Sequence, residues 1–181
     1  MNRSRLRVAA AAAIAAAILV FGAVVVLEVA SGSTGTNGRA GSSFSPQLPT
    51  FDLPSVHDDG TRQSSAEFAG KLLVINVFDY TCVPCITELP MLDRIASANP
   101  DVAFVGVHLM LQRAEAEKFV DRLGVRFPVV YDETGVFSTA VVALPTTVFV
   151  GTDGREVGRV TGTIAEADLT DRLERLREGI S

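Results

Sequence analysis

The chain contains two cysteines, and both stand in the run Cys82-Val83-Pro84-Cys85, directly after a strongly apolar stretch. Leu72 to Phe78 reads as a buried strand and Ile86 to Ala98 as a helix, so the CxxC falls where a strand hands over to a helix N-terminus. Unpaired backbone N–H groups and the helix dipole gather at such a point and favour a thiolate. A thiol whose pKa is lowered in this way becomes a nucleophile for disulfide exchange.

The first 45 of the 181 residues read as lying outside the folded domain. Residues 1–7 carry Arg3, Arg5 and Arg7, and Val8 to Leu27 is an apolar run without a charge. Twenty residues at about 1.5 Å each match a bilayer core of about 30 Å. Basic residues before the run and none just beyond it place the N-terminus in the cytoplasm and the domain outside it. A cleaved signal peptide and an uncleaved anchor compete here; the run is long for a signal peptide and Glu28-Val29-Ala30 is a poor cleavage site, so residues 8–29 are expected to be an uncleaved signal-anchor. The expected localisation is the cell membrane, single-pass, with the C-terminal domain extracytoplasmic. Residues 30–45, rich in Gly, Ser and Thr, form a flexible tether, and 46–181 one domain. From residue 45 onward 12 basic residues face 20 acidic ones, a net charge of −8, which argues against nucleic acid as a partner.

A structural staple would be expected to join distant segments, because a loop this small constrains the unfolded chain little. Structural zinc needs about four ligands, which one CxxC and two scattered histidines do not supply. The redox reading therefore stands, with no metal and no cofactor expected.

Phe51-Asp52-Leu53 and Thr61-Arg62-Gln63 flank Asp58-Asp59-Gly60 and predict an N-terminal hairpin. Ser64 to Glu67 predicts a capped helical turn, and Val102 to Leu109 a second buried, parallel strand. Ala114 to Leu123 predicts a helix closed by Gly124, Phe127 to Tyr131 a short strand, and Thr134 to Val142 a short helix. Thr146 to Val150 and Glu156 to Val160 predict a hairpin around Asp153-Gly154, and Ala165 to Arg177 a final amphipathic helix. This order calls for a mixed sheet covered by helices.

In a CxxC at a helix start the first thiol sits on the dipole and the second is buried a turn later, so Cys82 is the expected nucleophile and Cys85 the resolver. Glu88 shares a helix face with Cys85, beside Leu89, Leu92 and Ile95. Two readings of Glu88 stay open: a desolvated proton shuttle, or a carboxylate that merely complements the dipole. Pro90 is expected to kink the helix, and Pro145 opens a strand with an X-Pro bond open to either isomer. Asp79 and His57 read as solvated, His108 as a core or edge histidine.

Gly70-Lys71, Val74-Ile75-Asn76-Val77-Phe78, CVPC, Glu88-Leu89-Pro90, Phe127-Pro128-Val129, Leu144-Pro145-Thr146-Thr147 and Asp153-Gly154 stand in this order. Together they resemble the membrane-anchored thioredoxin-like proteins of the TlpA/ResA type, over roughly Gln47 to Arg177. The resemblance implies a thioredoxin fold with an N-terminal β-hairpin and an extra helix–strand unit at about Leu111 to Tyr131, preceded by one transmembrane helix. It implies that Pro145 is a cis-proline that helps dock substrate and that Glu88 is an active-site glutamate. The family commonly has tryptophans before its CxxC; here Phe78 and Thr81 occupy those positions, and the chain has no Trp. Asn76 stands where thioredoxin has a buried aspartate, as is usual in this family.

The expected function is extracytoplasmic thiol–disulfide exchange, with a lean toward reduction of disulfides in exported proteins, cytochrome c apoproteins among them, and recharging by a membrane electron carrier. The alternatives are a disulfide-donating oxidant on the same fold and a copper or haem-assembly chaperone that uses Met91, Met110 and His108. Thr81-Cys82 also suggests a peroxidatic arrangement, but the preceding proline is missing.

Overall fold

The computed structural model describes residues 47–57, 60–109 and 112–179. The expected cytoplasmic segment, signal-anchor and tether (1–45), the turn residues Asp58 and Asp59, and Met110 lie outside the described residues. Among the described residues no helix is long and apolar enough to cross a membrane.

The chain runs β1 (Asp52–Pro54), β2 (Arg62–Ser64), a 3-10 turn (Ser65–Phe68), β3 (Leu72–Phe78), α1 (Val83–Ala98), β4 (Val102–His108) and α2 (Arg113–Leu123), then β5 (Val129–Tyr131), β6 (Thr146–Val150), β7 (Glu156–Thr161) and α3 (Glu166–Arg177). Five strands form one mixed sheet in the order β5-β4-β3-β6-β7. β3 lies at its centre, parallel to β4 and antiparallel to β6. Burial on both faces explains why β3 and β4 are nearly continuous apolar runs. The parallel β3–β4 pair needs a crossover, which α1 supplies. The helix–strand unit α2–β5 then adds a parallel edge strand outside β4. This is a thioredoxin-like α/β fold.

Alternation along β3 sorts the core into two layers. Val74 and Phe78 join Leu89, Leu92, Phe119, Leu169 and Leu173 under the helices. Leu73, Ile75 and Val77 join Phe51, Leu53, Val105 and Phe137 on the opposite side. Asn76 belongs by parity to the helix side, beneath α1. Its parallel neighbour is Gly106, where a Cβ would come within 3.0–3.2 Å of Val129, Phe78 and Phe127, so any larger residue would have to push those side chains aside by a few tenths of an ångström.

β1 and β2 pair antiparallel, Leu53 opposite Gln63, and the turn after them carries a complete capping box, with Ser64 and Glu67 each bonding the other's backbone N–H region. α1 is continuous through Pro90, which leaves one helical hydrogen bond unmade. Within α1, Asp93 is buried and accepts from the backbone N–H of Arg126 at 2.7 Å and from its guanidinium at 2.6 and 2.9 Å. Burial alone would raise the Asp93 pKa, but these bonds hold it below the usual carboxylate value.

One expected element does not form: residues 134–142 make a series of turns instead of a helix. The buried Asp132 carboxylate accepts from the N–H groups of Val136, Phe137 and Ser138, and Gly135 adopts φ +75°. A carboxylate that takes three successive amides bends the backbone around itself, and the regular helical ladder is lost. The strand expected from Phe127 is likewise shorter, opening at Val129.

Candidate active site

β3 delivers the chain into a tight turn, Asp79 to Cys82, that ends on the first turn of α1. Cys82 is the N-cap of α1, and Val83 and Pro84 are its first helical residues. Proline is tolerated there because its missing N–H has no intrahelical partner in any case. The Cys85 N–H bonds the Cys82 carbonyl at 3.1 Å, and the two sulfurs are joined in a disulfide of 2.07 Å. Cys85 is fully buried, Cys82 half-buried, and Val83 between them is 73% exposed. Only the Cys82 side of the disulfide faces solvent, and it does so at the positive end of the α1 dipole.

The turn is built on polar contacts that the sequence does not announce. Asp79, expected to be solvated, is only 6% exposed: its carboxylate accepts from the Thr81 backbone N–H and, at 2.7 Å, from the Thr81 hydroxyl. An aspartate satisfied by its own turn has no need of water. His108, at the end of β4, is fully buried, as expected of a core histidine. Its Nε2 accepts the Tyr80 N–H at 3.2 Å, its ring stacks on Tyr80, and the edge of Phe78 meets it at 5.5 Å. His57 lies at the surface in contact with Glu117 at 3.7 Å.

Glu88 lies one turn beyond Cys85 and is 4% exposed. The Asn76 amide nitrogen donates to its Oε1 at 2.8 Å, and the Ile164 N–H, from the loop before α3, donates to its Oε2 at 2.9 Å. The same Asn76 nitrogen reaches the hydroxyl of Thr147 on β6 at 3.0 Å. Burial raises the Glu88 pKa above its usual 4.5, and the bonds from Ile164 and Asn76 only partly oppose it. The folded protein thus holds this proton more tightly than the unfolded chain. That contribution to stability is complete below the ordinary Glu range and is lost as pH rises toward the raised value.

The Leu144–Pro145 peptide bond is cis and Pro145 is buried. The β3–β6 register pairs Val77 with Thr146, so Pro145 lies one step further, at the sheet end where β3 feeds the CxxC turn. The structure therefore brings Cys82, Cys85, Glu88 and Pro145 to one end of the sheet. Of the candidate soft ligands among the described residues, Met91 packs in the core and His108 is engaged with Tyr80. Asn76, Thr147, Ile164 and His108 join the site, though none reads from the sequence as a site residue: Asn76 and Thr147 lie in runs that carry the resemblance and His108 reads as a core or edge histidine, whereas Ile164 has no signal.

Comparison with known proteins agrees with this geometry. The sequence matches the Redoxin family model over residues 41–175. It is 29% identical over 166 residues to the thiol-disulfide oxidoreductase ResA of Bacillus subtilis, a match covering 87% of this chain and 92% of that protein. It is 32% identical over 114 residues to the thiol:disulfide interchange protein DsbE of Xylella fastidiosa, covering 61% and 56%. A secreted Mycobacterium tuberculosis disulfide oxidoreductase described as homologous to E. coli DsbE superposes with a TM-score of 0.61 at 26% identity, over 68% of this chain and 94% of that one. The match over residues 41–175 decides the family: the chain belongs to the redoxins, is TlpA/ResA-like, and is a thiol–disulfide oxidoreductase.

Proposed function

We propose that this protein is a membrane-tethered, extracytoplasmic reductant of disulfides in exported proteins, with Cys82 as attacking thiol, Cys85 as resolving thiol and Glu88 as proton carrier. The observation that carries the reading is the Cys82–Cys85 disulfide at the head of α1 with a buried carboxyl one turn beyond it. In the reduced enzyme the Cys82 thiolate attacks a substrate disulfide. One substrate sulfur joins Cys82, and the other leaves as a thiolate and takes a proton. Cys85, losing its proton to the Glu88 carboxylate, attacks the Cys82 sulfur and releases the second substrate thiolate. The substrate gains two electrons and the enzyme returns to its disulfide. A membrane electron carrier then restores the dithiol.

The names of the ResA and DsbE relatives support thiol–disulfide exchange. The apolar run 8–27 behind three arginines supports the tether. Cis-Pro145, at the same sheet end as the CxxC, is proposed to align the backbone of an extended substrate beside Cys82. Cytochrome c apoproteins are proposed among the substrates.

Direction is tested by the reduction potential of the Cys82–Cys85 couple, equilibrated against glutathione. A reductant is expected to lie near thioredoxin, at about −270 mV, whereas a value near about −120 mV would establish the oxidant instead. Glu88→Gln tests the proton carrier. It is expected to flatten the pH dependence of exchange and to abolish the loss of stability as pH rises through the Glu range. An unchanged rate profile would reduce Glu88 to a complement of the helix dipole.

A further inference from the structure

The pairing of Glu88 with Asn76 poses a chemical question that the exchange scheme does not answer. Both bonds the carboxyl makes among the described residues are accepted ones, at Oε1 from Asn76 and at Oε2 from Ile164. That arrangement suits the carboxylate. A proton arriving on Oε1 would point an O–H at an N–H₂, donor against donor. Yet a proton carrier must be stable both with and without its proton.

Asn76 has the means to serve both forms. Among the described residues its Oδ1 is buried without a hydrogen-bond partner, while its Nδ2 serves both Glu88 and Thr147. Half a turn of the amide about its last torsion exchanges oxygen and nitrogen without moving the rest of the side chain. Oδ1 then faces Glu88 Oε1 and Thr147 Oγ1, and its two lone pairs accept both hydroxyl protons. Ile164 keeps its bond to Oε2 in either state. The turn trades one unpaired buried oxygen for one unpaired buried nitrogen, so the number of unpaired atoms on Asn76 stays the same.

We infer that the Asn76 amide is a two-way positioning partner, turning its nitrogen to the Glu88 carboxylate and its oxygen to the Glu88 acid. The inference rests on the reading of Glu88 as the proton carrier. Thr147 completes the device, because its hydroxyl accepts in one state and donates in the other. An aspartate at 76 would set a second carboxylate against Glu88, and an aliphatic residue would offer neither partner.

Among the described residues, the neighbouring titratable groups are engaged elsewhere. On the neighbouring strand β4 His108 is bonded to Tyr80, and at the end of β3 Asp79 is bonded to Thr81. On α1 Asp93 is held by Arg126 and Arg94 pairs with Glu166 of α3. On Glu88's own face the remaining group is Cys85, tied in the disulfide.

The test is NMR on the full-length oxidised chain, labelled at Asn, Glu and Thr, in which only four asparagines give side-chain amide pairs. The Asn76 amide protons are expected to show a strong contact to the Thr147 methyl group at high pH. That contact should fade on acidification with the same midpoint as the Glu88 carboxyl carbon. In Glu88→Gln the Asn76 signals should be independent of pH over that range. Persistence of the contact through the whole Glu88 titration, with unmoved Asn76 shifts, overturns the inference. Because no turnover is involved, this outcome is separate from failure of the proton-carrier reading, which the exchange-rate profile of Glu88→Gln reports.

Discussion

Cys82→Ser is expected to reduce disulfide exchange to its uncatalysed background, a loss of about three orders of magnitude or more, as when a sole nucleophile is removed. The argument is one of access and charge. Cys82 is the N-cap of α1 and half-exposed, whereas Cys85 is buried one turn in, so a protein substrate can reach only the first sulfur. A serine hydroxyl at that position stays protonated where a thiol ionises. Cys85→Ser is expected to behave differently. Attack by Cys82 still proceeds, but nothing resolves the product, and a covalent adduct accumulates that mass spectrometry detects and excess dithiol reverses. If Cys82→Ser were the variant that trapped the adduct, the two roles would be exchanged.

Phe78→Ala is expected to cost about 3–5 kcal/mol, the usual range for truncating a buried aromatic. Phe78 is fully buried at the last position of β3. Its ring stacks on Phe119 of α2 at 6.0 Å and meets His108 edge-on at 5.5 Å, and Gly106 leaves room for it. Removing it leaves a cavity that the central strands are too constrained to collapse. Against a total of about 5–15 kcal/mol for a domain, that is a large share. Urea denaturation should show a lower midpoint with the slope retained. Since His108 also holds Tyr80, the CxxC turn should loosen as well, seen as faster alkylation of Cys85 in the reduced form. A loss below about 1 kcal/mol would mean that the ring carries little of the packing between β3 and α2.

Much of the fold was legible because its elements follow local rules. β3 and β4 declare themselves as buried strands by continuous apolar runs, α2 by its periodicity and the left-handed Gly124 that closes it, and the 3-10 turn by its capping box. The misread elements fail for a common reason. Residues 134–142 read as a short helix, but Asp132 captures the amides of Val136, Phe137 and Ser138, and Asp79 looks solvated until the Thr81 bonds fold it inward. In both cases one side chain competes with water or the helical ladder for backbone N–H groups, and hydrophobic periodicity carries no record of that competition.

The sequence by itself determined the cysteine pair and its place: an apolar strand, a CxxC and a helix start are consecutive in the chain, so their juxtaposition is local. It also marked Glu88 as a neighbour of Cys85, because three residues make nearly one helical turn. Tertiary structure alone decided what surrounds that carboxyl. Asn76 lies 12 residues from Glu88, Ile164 lies 76 away, and Thr147 is 71 from Asn76. Desolvation and hydrogen bonding depend on which distant segments close over a group, and that closure raises the Glu88 pKa above its ordinary value.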